Sequence, residues 1–207
     1  MEKTQKPDKV IGILALQGDY EAHRRMLEEQ IGARTAFVRR PEELADVDAL
    51  ILPGGESTTI AKLMERIGLD KAIQVRAQAG MPIYGTCAGL ILLAKDIEGR
   101  PDQPTLGLMD VRVARNAFGR QVDSFEADLP FAPDSEANAP PVRGVFIRAP
   151  YVTEVAPDVQ VLCRFQNKIV GVRQGNLLGT AFHPELTDNP RIHAYFAHMV
   201  DESTEKR

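Results

Sequence analysis

The chain has little cysteine, no excess of basic charge and no long apolar run. Its 207 residues include two cysteines, too few for a disulfide framework, so we expect a reducing compartment. Lys and Arg total 25 against 29 Asp and Glu, and the net charge of −4 argues against binding to nucleic acid. Apolar runs of about 18 residues are missing, and residues 1–9 lack the apolar segment of a signal peptide. We therefore expect a cytoplasmic protein with neither nucleic-acid nor membrane partners.

The length predicts one domain, since domains have roughly 100–200 residues. A chain of this size buries enough surface to fold without disulfides or a structural metal. The expected domain covers residues 10–200, and the charged segments 1–9 and 201–207 are expected to be flexible.

Apolar runs alternate with helical patterns in the first half of the chain. Strands are predicted at 10–16, 33–38, 49–52 and 81–84, and helices at 20–30, 56–68, 69–79 and 88–97. This alternation is typical of an α/β fold with a doubly wound, mostly parallel sheet flanked by helices. Closely spaced strands in the second half, at 111–114, 124–127, 142–147, 159–165, 168–173 and 177–182, predict antiparallel additions. A loop is expected at 130–141 and a last helix at 190–200.

The sequence Gly85-Thr86-Cys87-Ala88-Gly89 follows the fourth predicted strand and begins a helix. Small residues around a central nucleophile are what a sharp strand-turn-helix elbow requires, because a Cβ beside the turn would clash. The elbow would expose the Cys87 thiol at the carboxyl end of the sheet, where the helix N-terminus favours a thiolate. The alternative is a buried structural cysteine, which is also our interpretation of Cys163.

A cysteine nucleophile needs a base, and the chain has four histidines. His183 ends an apolar strand, and Pro184 makes the chain leave the sheet there, so the imidazole faces the same edge as the elbow. Glu185 can return to hold that imidazole, as the acid of a triad does. The other histidines are predicted to be structural or on the surface: His23 on a solvated helix face, and His193 and His198 on the last helix.

A third motif, Pro53-Gly54-Gly55-Glu56-Ser57, follows the third predicted strand. Paired glycines let the backbone approach a reacting carbonyl, so their N–H groups can form half of an oxyanion hole. The N–H of Ala88 would form the other half. A plain Gly-Gly turn is the alternative.

Together these motifs resemble the class I, triad-type glutamine amidotransferases, whose fold is flavodoxin-like. Within that class the chain is similar to the glutaminase subunits of pyridoxal 5′-phosphate synthase over about residues 10–200. The more specific segments are ALQGD at 15–19, LPGGEST at 52–58, RNAFGRQVDSFE at 115–126 and FIRAP at 146–150.

The resemblance implies hydrolysis of L-glutamine to glutamate and ammonia. Cys87 would attack the carboxamide, His183 would relay protons, Glu185 would orient His183, and the N–H groups of Gly55 and Ala88 would bind the oxyanion. Residues implied to bind glutamine are Gly55, Glu56, Ser57, Arg115, Ile147 and Arg148. An arginine suits the α-carboxylate and a glutamate the α-ammonium group.

The resemblance also implies a partner. No metal or cofactor is expected, because pyridoxal 5′-phosphate would be the product of a hetero-oligomeric complex with a barrel-type synthase subunit. The length agrees, since 207 residues leave no room for a second barrel domain of about 250. Such subunits are expected to be nearly inactive alone.

Three alternatives remain open. The triad would also suit the glutaminase of imidazole glycerol phosphate synthase, although the segments around Gly54 and Arg115 favour the vitamin B6 branch. A non-catalytic binding module on the same fold would not need an intact Cys87, His183 and Glu185. A cysteine peptidase would need a peptide groove, for which the sequence has no signal.

Overall fold

The structure, a computed structural model, describes residues 9–115, 124–131 and 140–205. In the first half strands alternate with helices, as predicted. The strands are β1 Val10–Leu14, β2 Arg34–Val38, β3 Ala49–Leu52 and β4 Ile83–Thr86. The helices are α1 Tyr20–Arg25, which continues as a π-helix Met26–Ile31, a 3-10 helix Pro41–Asp46, α2 Ser57–Ile67, α3 Leu69–Gln78 and α4 Ala88–Leu93.

The second half adds further strands, and most of the pairings among them are antiparallel, although the first pairs with the second in parallel. They are β5 Ala94–Ile97, β6 Met109–Ala114, β7 Ser124–Leu129, β8 Val142–Ile147, β9 Tyr151–Val155, β10 Gln160–Phe165, β11 Lys168–Gln174 and β12 Leu177–Thr180. A 3-10 helix, Pro184–Leu186, and the last helix, α5 Arg191–Glu205, complete the described chain. Tight turns at 166–167 and 175–176 join β10 to β11 and β11 to β12.

Strand order brings the chemically interesting loops together. The larger sheet runs β2-β1-β3-β4-β12-β11-β9-β6-β5, with β10 paired to β11, and β7 and β8 form a second sheet. The pairs β1–β2, β1–β3, β3–β4 and β4–β12 are all parallel. The carboxyl ends of β1, β3, β4 and β12 therefore meet at one edge of the sheet, where open α/β folds bind ligands.

Local sequence explains the elements at this edge. All four residues of β3 are buried, as expected of a parallel strand covered on both faces. Helix α2 buries Ile60, Ala61 and Met64 on one face. Its N-cap Glu56 accepts a hydrogen bond from the N–H of Thr59 at 2.9 Å, and the left-handed Gly68 ends it, as predicted.

The structure differs from the prediction in three elements. The helix expected over 88–97 ends at Leu93, because Ala94 and Ile97 instead pair with the distant residues Met109 and Val113 of β6. Strand β9 was not predicted, and it too forms by long-range pairing, with β6. Helix α5 continues to residue 205 rather than ending at 200. Of the expected loop at 130–141, residues 132–139 lie outside the described residues, as do 1–8 and 206–207 of the terminal segments expected to be flexible.

The smaller sheet packs against the chain that follows β12. The Phe125 and Phe146 rings are stacked with their centroids 4.5 Å apart, and Phe146 also contacts Phe182 at 5.5 Å. The N–H of His183 donates to the carbonyl of Val145 at 2.8 Å. This packing fixes the segment that carries His183 and Glu185.

Candidate active site

Cys87 occupies a strained turn between β4 and α4. Its φ of 48° and ψ of −99° lie in a region that non-glycine residues rarely adopt. A Cβ at Gly89 would lie 2.1 Å from the Leu52 carbonyl oxygen, and one at Gly85 would lie 2.4 Å from the Gly89 carbonyl carbon. Both positions thus require glycine, and the predicted strand-turn-helix elbow is present.

The two cysteines have different surroundings. The Sγ atom of Cys87 lies 3.9 Å from the carbonyl oxygen of Ile147, to which the thiol donates. Cys163 lies in β10, where burial raises the pKa of its thiol to about 12. Cys163 is therefore the packed, unreactive thiol that the sequence predicted.

His183 and Glu185 form a buried pair close to Cys87. Strand β12 is the parallel neighbour of β4, and Thr180 is in register with Thr86, so both loops leave the same edge. The Nδ1 atom of His183 lies 2.7 Å from Oε1 of Glu185, which belongs to the 3-10 helix that begins at Pro184. The predicted triad residues are thereby brought together, while their catalytic roles stay a prediction.

Electrostatics favour the charged form of this pair. Burial by itself would lower the pKa of His183, but hydrogen bonds with Cys87 and Glu185 outweigh it and raise the pKa to about 10. Burial would raise the pKa of Glu185, but His23 and His183 hold it at about 2. At neutral pH His183 is therefore an imidazolium beside an ionised Glu185.

The glycine loop between β3 and α2 packs directly on this pair. A Cβ at Gly54 would lie 2.3 Å from Cε1 of His183, so only glycine fits there. A Cβ at Gly18 would lie 1.9 Å from the Gly54 carbonyl oxygen, and the Oε1 atom of Gln17 accepts from the N–H of Glu56 at 2.8 Å. Gln17, to which the sequence assigned no role, thus ties the β1–α1 turn to the loop of the predicted oxyanion hole.

One predicted oxyanion donor directly follows Cys87, and the other directly follows Gly54, which packs on His183. Gly55 follows Gly54 in the loop after β3, and Ala88 is the first residue of α4. The N–H of a first helical residue has no acceptor within its own helix. The role of both N–H groups remains a prediction.

The residues predicted to bind the charged ends of glutamine form a connected cluster. Nη2 of Arg115 lies 3.1 Å from Oε1 of Glu56, so the candidate carboxylate and ammonium binders are paired with each other. Gln103, which the sequence analysis missed, accepts from Arg115 and donates to the Ser57 hydroxyl at 3.0 Å. Gln103 lies in a long irregular segment, residues 98–108, where no helical or strand periodicity marks a residue as important.

Ile147 and Arg148 lie at the end of β8. The Ile147 carbonyl faces the Cys87 thiol, as noted above, and Arg148 is exposed with a φ of 44°. Both are therefore beside the nucleophile, although their contact with glutamine stays a prediction. Residues 116–123 of the specific segment 115–126 lie outside the described residues.

The prediction for His23 is wrong. Its side chain is fully buried, with Nδ1 2.9 Å from Nε2 of His193 and Nε2 3.1 Å from Oγ1 of Thr86. The charged neighbours of His23 in the sequence suggested a solvated face, but Met26 and Leu27, three and four residues further on, are buried on the same face. The helical spacing of His23 relative to these two apolar residues indicates that His23 is also buried. His193 is buried and His198 exposed, within the prediction of structural or surface positions.

The described residues include neither a cluster of metal-binding side chains nor a membrane-spanning helix. Within 9–115, 124–131 and 140–205, no group of three or more His, Cys, Asp or Glu side chains is arranged to hold a metal ion. No helix in the same ranges is long and apolar enough to cross a membrane.

Solved structures with this fold are glutamine amidotransferases or related subunits. One titled "Crystal structure of glutamine amidotransferase" has a TM-score of 0.86 and 46% sequence identity, covering 92% of this chain and 98% of that one. A structure of PurLQS from Thermotoga maritima has a TM-score of 0.64 at 20% identity, covering 94% and 95%, and shows the fold alone. The fold is thus that of the flavodoxin-like class I amidotransferases.

The family follows from the sequence comparison. The chain belongs to the SNO glutamine amidotransferase family, whose model matches residues 13–202. A relative from Carboxydothermus hydrogenoformans is 54% identical over 190 residues, 92% of this chain and 97% of the relative. One from Brevibacillus brevis is 55% identical over 192 residues, 93% and 97%. Both relatives are called pyridoxal 5′-phosphate synthase subunit PdxT.

Proposed function

We propose that this chain is the glutaminase subunit of a pyridoxal 5′-phosphate synthase. The observation that carries the proposal is the buried His183–Glu185 pair, joined at 2.7 Å, beside a cysteine held at positive φ. The names of the relatives, at 54–55% identity over most of this chain, support the choice of this branch of the amidotransferases.

The first half of the reaction forms a thioester. The Cys87 thiolate attacks the side-chain carboxamide carbon of L-glutamine, and the carbonyl π electrons move to oxygen. The N–H groups of Gly55 and Ala88 stabilise the oxyanion. The His183 imidazolium then donates its proton to the amide nitrogen, the carbon–nitrogen bond breaks and ammonia leaves. Glu185 accepts a hydrogen bond from the Nδ1–H of His183 throughout and holds the imidazole in one orientation.

The second half releases glutamate. Neutral His183 takes a proton from water, whose oxygen attacks the thioester carbonyl. Collapse of the second tetrahedral intermediate breaks the carbon–sulfur bond and returns the thiolate beside an imidazolium. Besides glutamine and water, the proposed steps use only side chains and backbone of this chain, and none of them calls for a metal or a cofactor.

Substrate selection is assigned to the cluster beside the triad. Arg115 and Arg148 bind the α-carboxylate, Glu56 binds the α-ammonium group, and Ser57 and the Ile147 backbone complete the contacts. Arg115 and Glu56 form an ion pair with each other in this structure. When glutamine binds, that pair would separate, and the two side chains would instead form ion pairs with the α-carboxylate and the α-ammonium group of glutamine.

The ammonia goes to a partner. We infer a cytoplasmic hetero-oligomer with a barrel-type synthase subunit that consumes ammonia to build pyridoxal 5′-phosphate. The names of the relatives, which describe one subunit of a synthase, support this arrangement.

Ammonia release from L-glutamine, with and without the synthase subunit, tests the proposal. Hydrolysis should rise when the partner is added, and Cys87→Ala should abolish it, because the nucleophile is lost. The matched control is Cys163→Ala, which removes the other buried thiol and should keep activity. Equal rates with and without the partner would contradict the coupled function, and an active Cys87→Ala variant would contradict the chemistry.

A further inference from the structure

His23 is a buried residue that lies next to the predicted triad. It lies on α1 with no exposed surface, and its Nε2 atom is 3.5 Å from Oε1 of Glu185. That same oxygen is the partner of His183 Nδ1. The Nε2 atom of His23 is also 3.1 Å from the hydroxyl of Thr86, the residue before Cys87. One imidazole nitrogen therefore lies between the acid of the triad and the strand that carries the nucleophile.

His23 and its neighbour His193 are both neutral. Burial lowers the pKa of His23, and burial together with nearby His23 lowers the pKa of His193 to about 3. Each ring therefore carries one N–H, and the hydrogen bond between His23 Nδ1 and His193 Nε2 needs one donor and one acceptor.

The unpaired atom of His193 decides which nitrogen carries the proton. Nδ1 of His193 is buried without a partner within the described part of the chain. If His23 donated from Nδ1, His193 Nδ1 would carry a buried N–H with no acceptor, and His23 Nε2 would turn a lone pair toward an ionised carboxylate. If His193 donates from Nε2, its Nδ1 is a bare lone pair, which is less costly to bury, and His23 carries its proton on Nε2.

We propose that His23 is a positioning residue of the triad, a neutral Nε2–H tautomer that donates to the Thr86 hydroxyl and turns the positive end of the same N–H dipole toward Oε1 of Glu185, 3.5 Å away. The second donor restricts the Glu185 carboxylate to the orientation in which Oε1 faces His183. It matters because Oε2 of Glu185 is buried with no hydrogen-bond partner among the described residues, so the contacts of Oε1, together with the backbone N–H of Glu185 itself, hold the carboxylate. His193 serves as the donor that fixes the tautomer. The inference rests on the proposed roles of Cys87, His183 and Glu185.

The other groups facing His23 do not replace it. Glu185 and Asp19 act on His23 as negative charges, and His183 as a positive one. Asp19 caps α1 through the N–H of Ala22. The Tyr84 ring packs edge-on, 6.4 Å from the His23 ring, and directs its hydroxyl to Thr180. His183 and His23 lie 2.7 Å and 3.5 Å from Oε1 of Glu185.

The tautomer is tested directly on the unaltered protein. Long-range proton–nitrogen NMR of the chain with ¹⁵N-labelled histidine distinguishes Nε2–H from Nδ1–H, and exposed His198 provides an internal reference. We expect Nε2–H on His23 and on His193. A Nδ1–H tautomer on His23 overturns the proposal.

Two variants separate positioning from packing. In His23→Gln the side-chain amide reaches the place of Nε2 and can still donate to Glu185, whereas in His23→Asn it reaches only the place of Nδ1. The readout is alkylation of Cys87 by iodoacetamide across pH in the isolated chain, which needs neither glutamine nor a partner. The 3.5 Å contact with Glu185 is longer than a full hydrogen bond to a charged group, so we expect His23→Asn to lose about 10-fold in alkylation rate at neutral pH, the lower end of what such a bond contributes. His23→Gln should stay within about 3-fold of the unaltered chain.

Each outcome either supports or overturns the positioning role of His23. Equal losses in both variants mean that His23 only fills space, and unchanged rates in both mean that Glu185 needs no second donor; either result overturns the proposal. Should the unaltered chain fail to release ammonia yet show the split between variants, the function fails while the positioning role stands. With the partner present, His23→Asn should lower kcat and leave KM for glutamine unchanged, because His23 lies behind the triad.

Discussion

Alanine at Gly54 would test how closely the glycine loop controls His183. The backbone at Gly54 does not lie in the left-handed region, so alanine introduces a steric contact and no conformational strain. Its Cβ would lie 2.3 Å from Cε1 and 2.9 Å from Nδ1 of His183, where nine in ten real Cβ contacts exceed 3.4 Å. The imidazole or the loop must therefore move by about 1 Å to restore an ordinary contact distance.

The size of the effect follows from that displacement. A misplacement of about 1 Å in a catalytic arrangement costs about 10²-fold in rate. The loss should fall on kcat, since His183 is assigned to proton transfer and not to glutamine binding. Overpacking of this kind costs about 1–3 kcal/mol of stability, which a domain of this size tolerates.

The assay is ammonia release with the synthase subunit present, together with Cys87 alkylation in the isolated chain. The control is Gly68→Ala at the end of α2, where φ is 73° and a Cβ would meet nothing within 4 Å. That variant should lose about 1 kcal/mol of stability and keep full activity. If Gly54→Ala keeps more than about half of the kcat of the unaltered chain, the assigned contact does not position the base.

Three further perturbations have definite expected outcomes. Glu185→Gln removes the charge that supports the His183 imidazolium, so kcat should fall about 10²-fold or more in the ammonia assay while KM stays constant. Gly89→Ala places a Cβ 2.1 Å from a backbone oxygen that cannot move, so urea unfolding should show a loss of about 3 kcal/mol or more. His193 has a folded-state pKa of about 3, so between pH 6.5 and 3 the unfolded chain alone takes up its proton, and stability falls toward acid by about 1.4 kcal/mol per pH unit. His193→Phe should flatten that slope by one proton, and an unchanged slope would contradict the buried neutral state.

The edge of the sheet that holds the candidate site was predictable because it depends on local rules. Cys87 and His183 each follow an apolar run, and parallel strands place such positions at one edge. The glycines around Cys87 mark the elbow by steric necessity alone. Neither inference requires knowledge of contacts between residues that are distant in the sequence.

What was not predictable depends on contacts between distant segments. Residues 94–97 continue the helical pattern of α4, and only pairing with β6 makes them a strand. Gln103 has no local signature, and its importance comes from two partners, Ser57 and Arg115, on other elements. Propensity is a weak preference that such tertiary pairing overrides.

For His23, the local sequence pattern and the long-range contacts both matter. Its helical spacing indicated the core, but its ring nitrogens acquire meaning only beside Glu185 and His193. Buried ionised groups and unpaired polar atoms are costly, and apolar replacements of similar volume are often neutral or stabilising. A core maintained for stability alone has no need for an ionised Glu185, two neutral imidazoles and two buried atoms that have no hydrogen-bond partner in the part of the chain that the structure describes. These groups, which are unfavourable for the free energy of folding, lie next to a strained cysteine. Chemistry that requires a carboxylate held in one orientation explains their presence most directly.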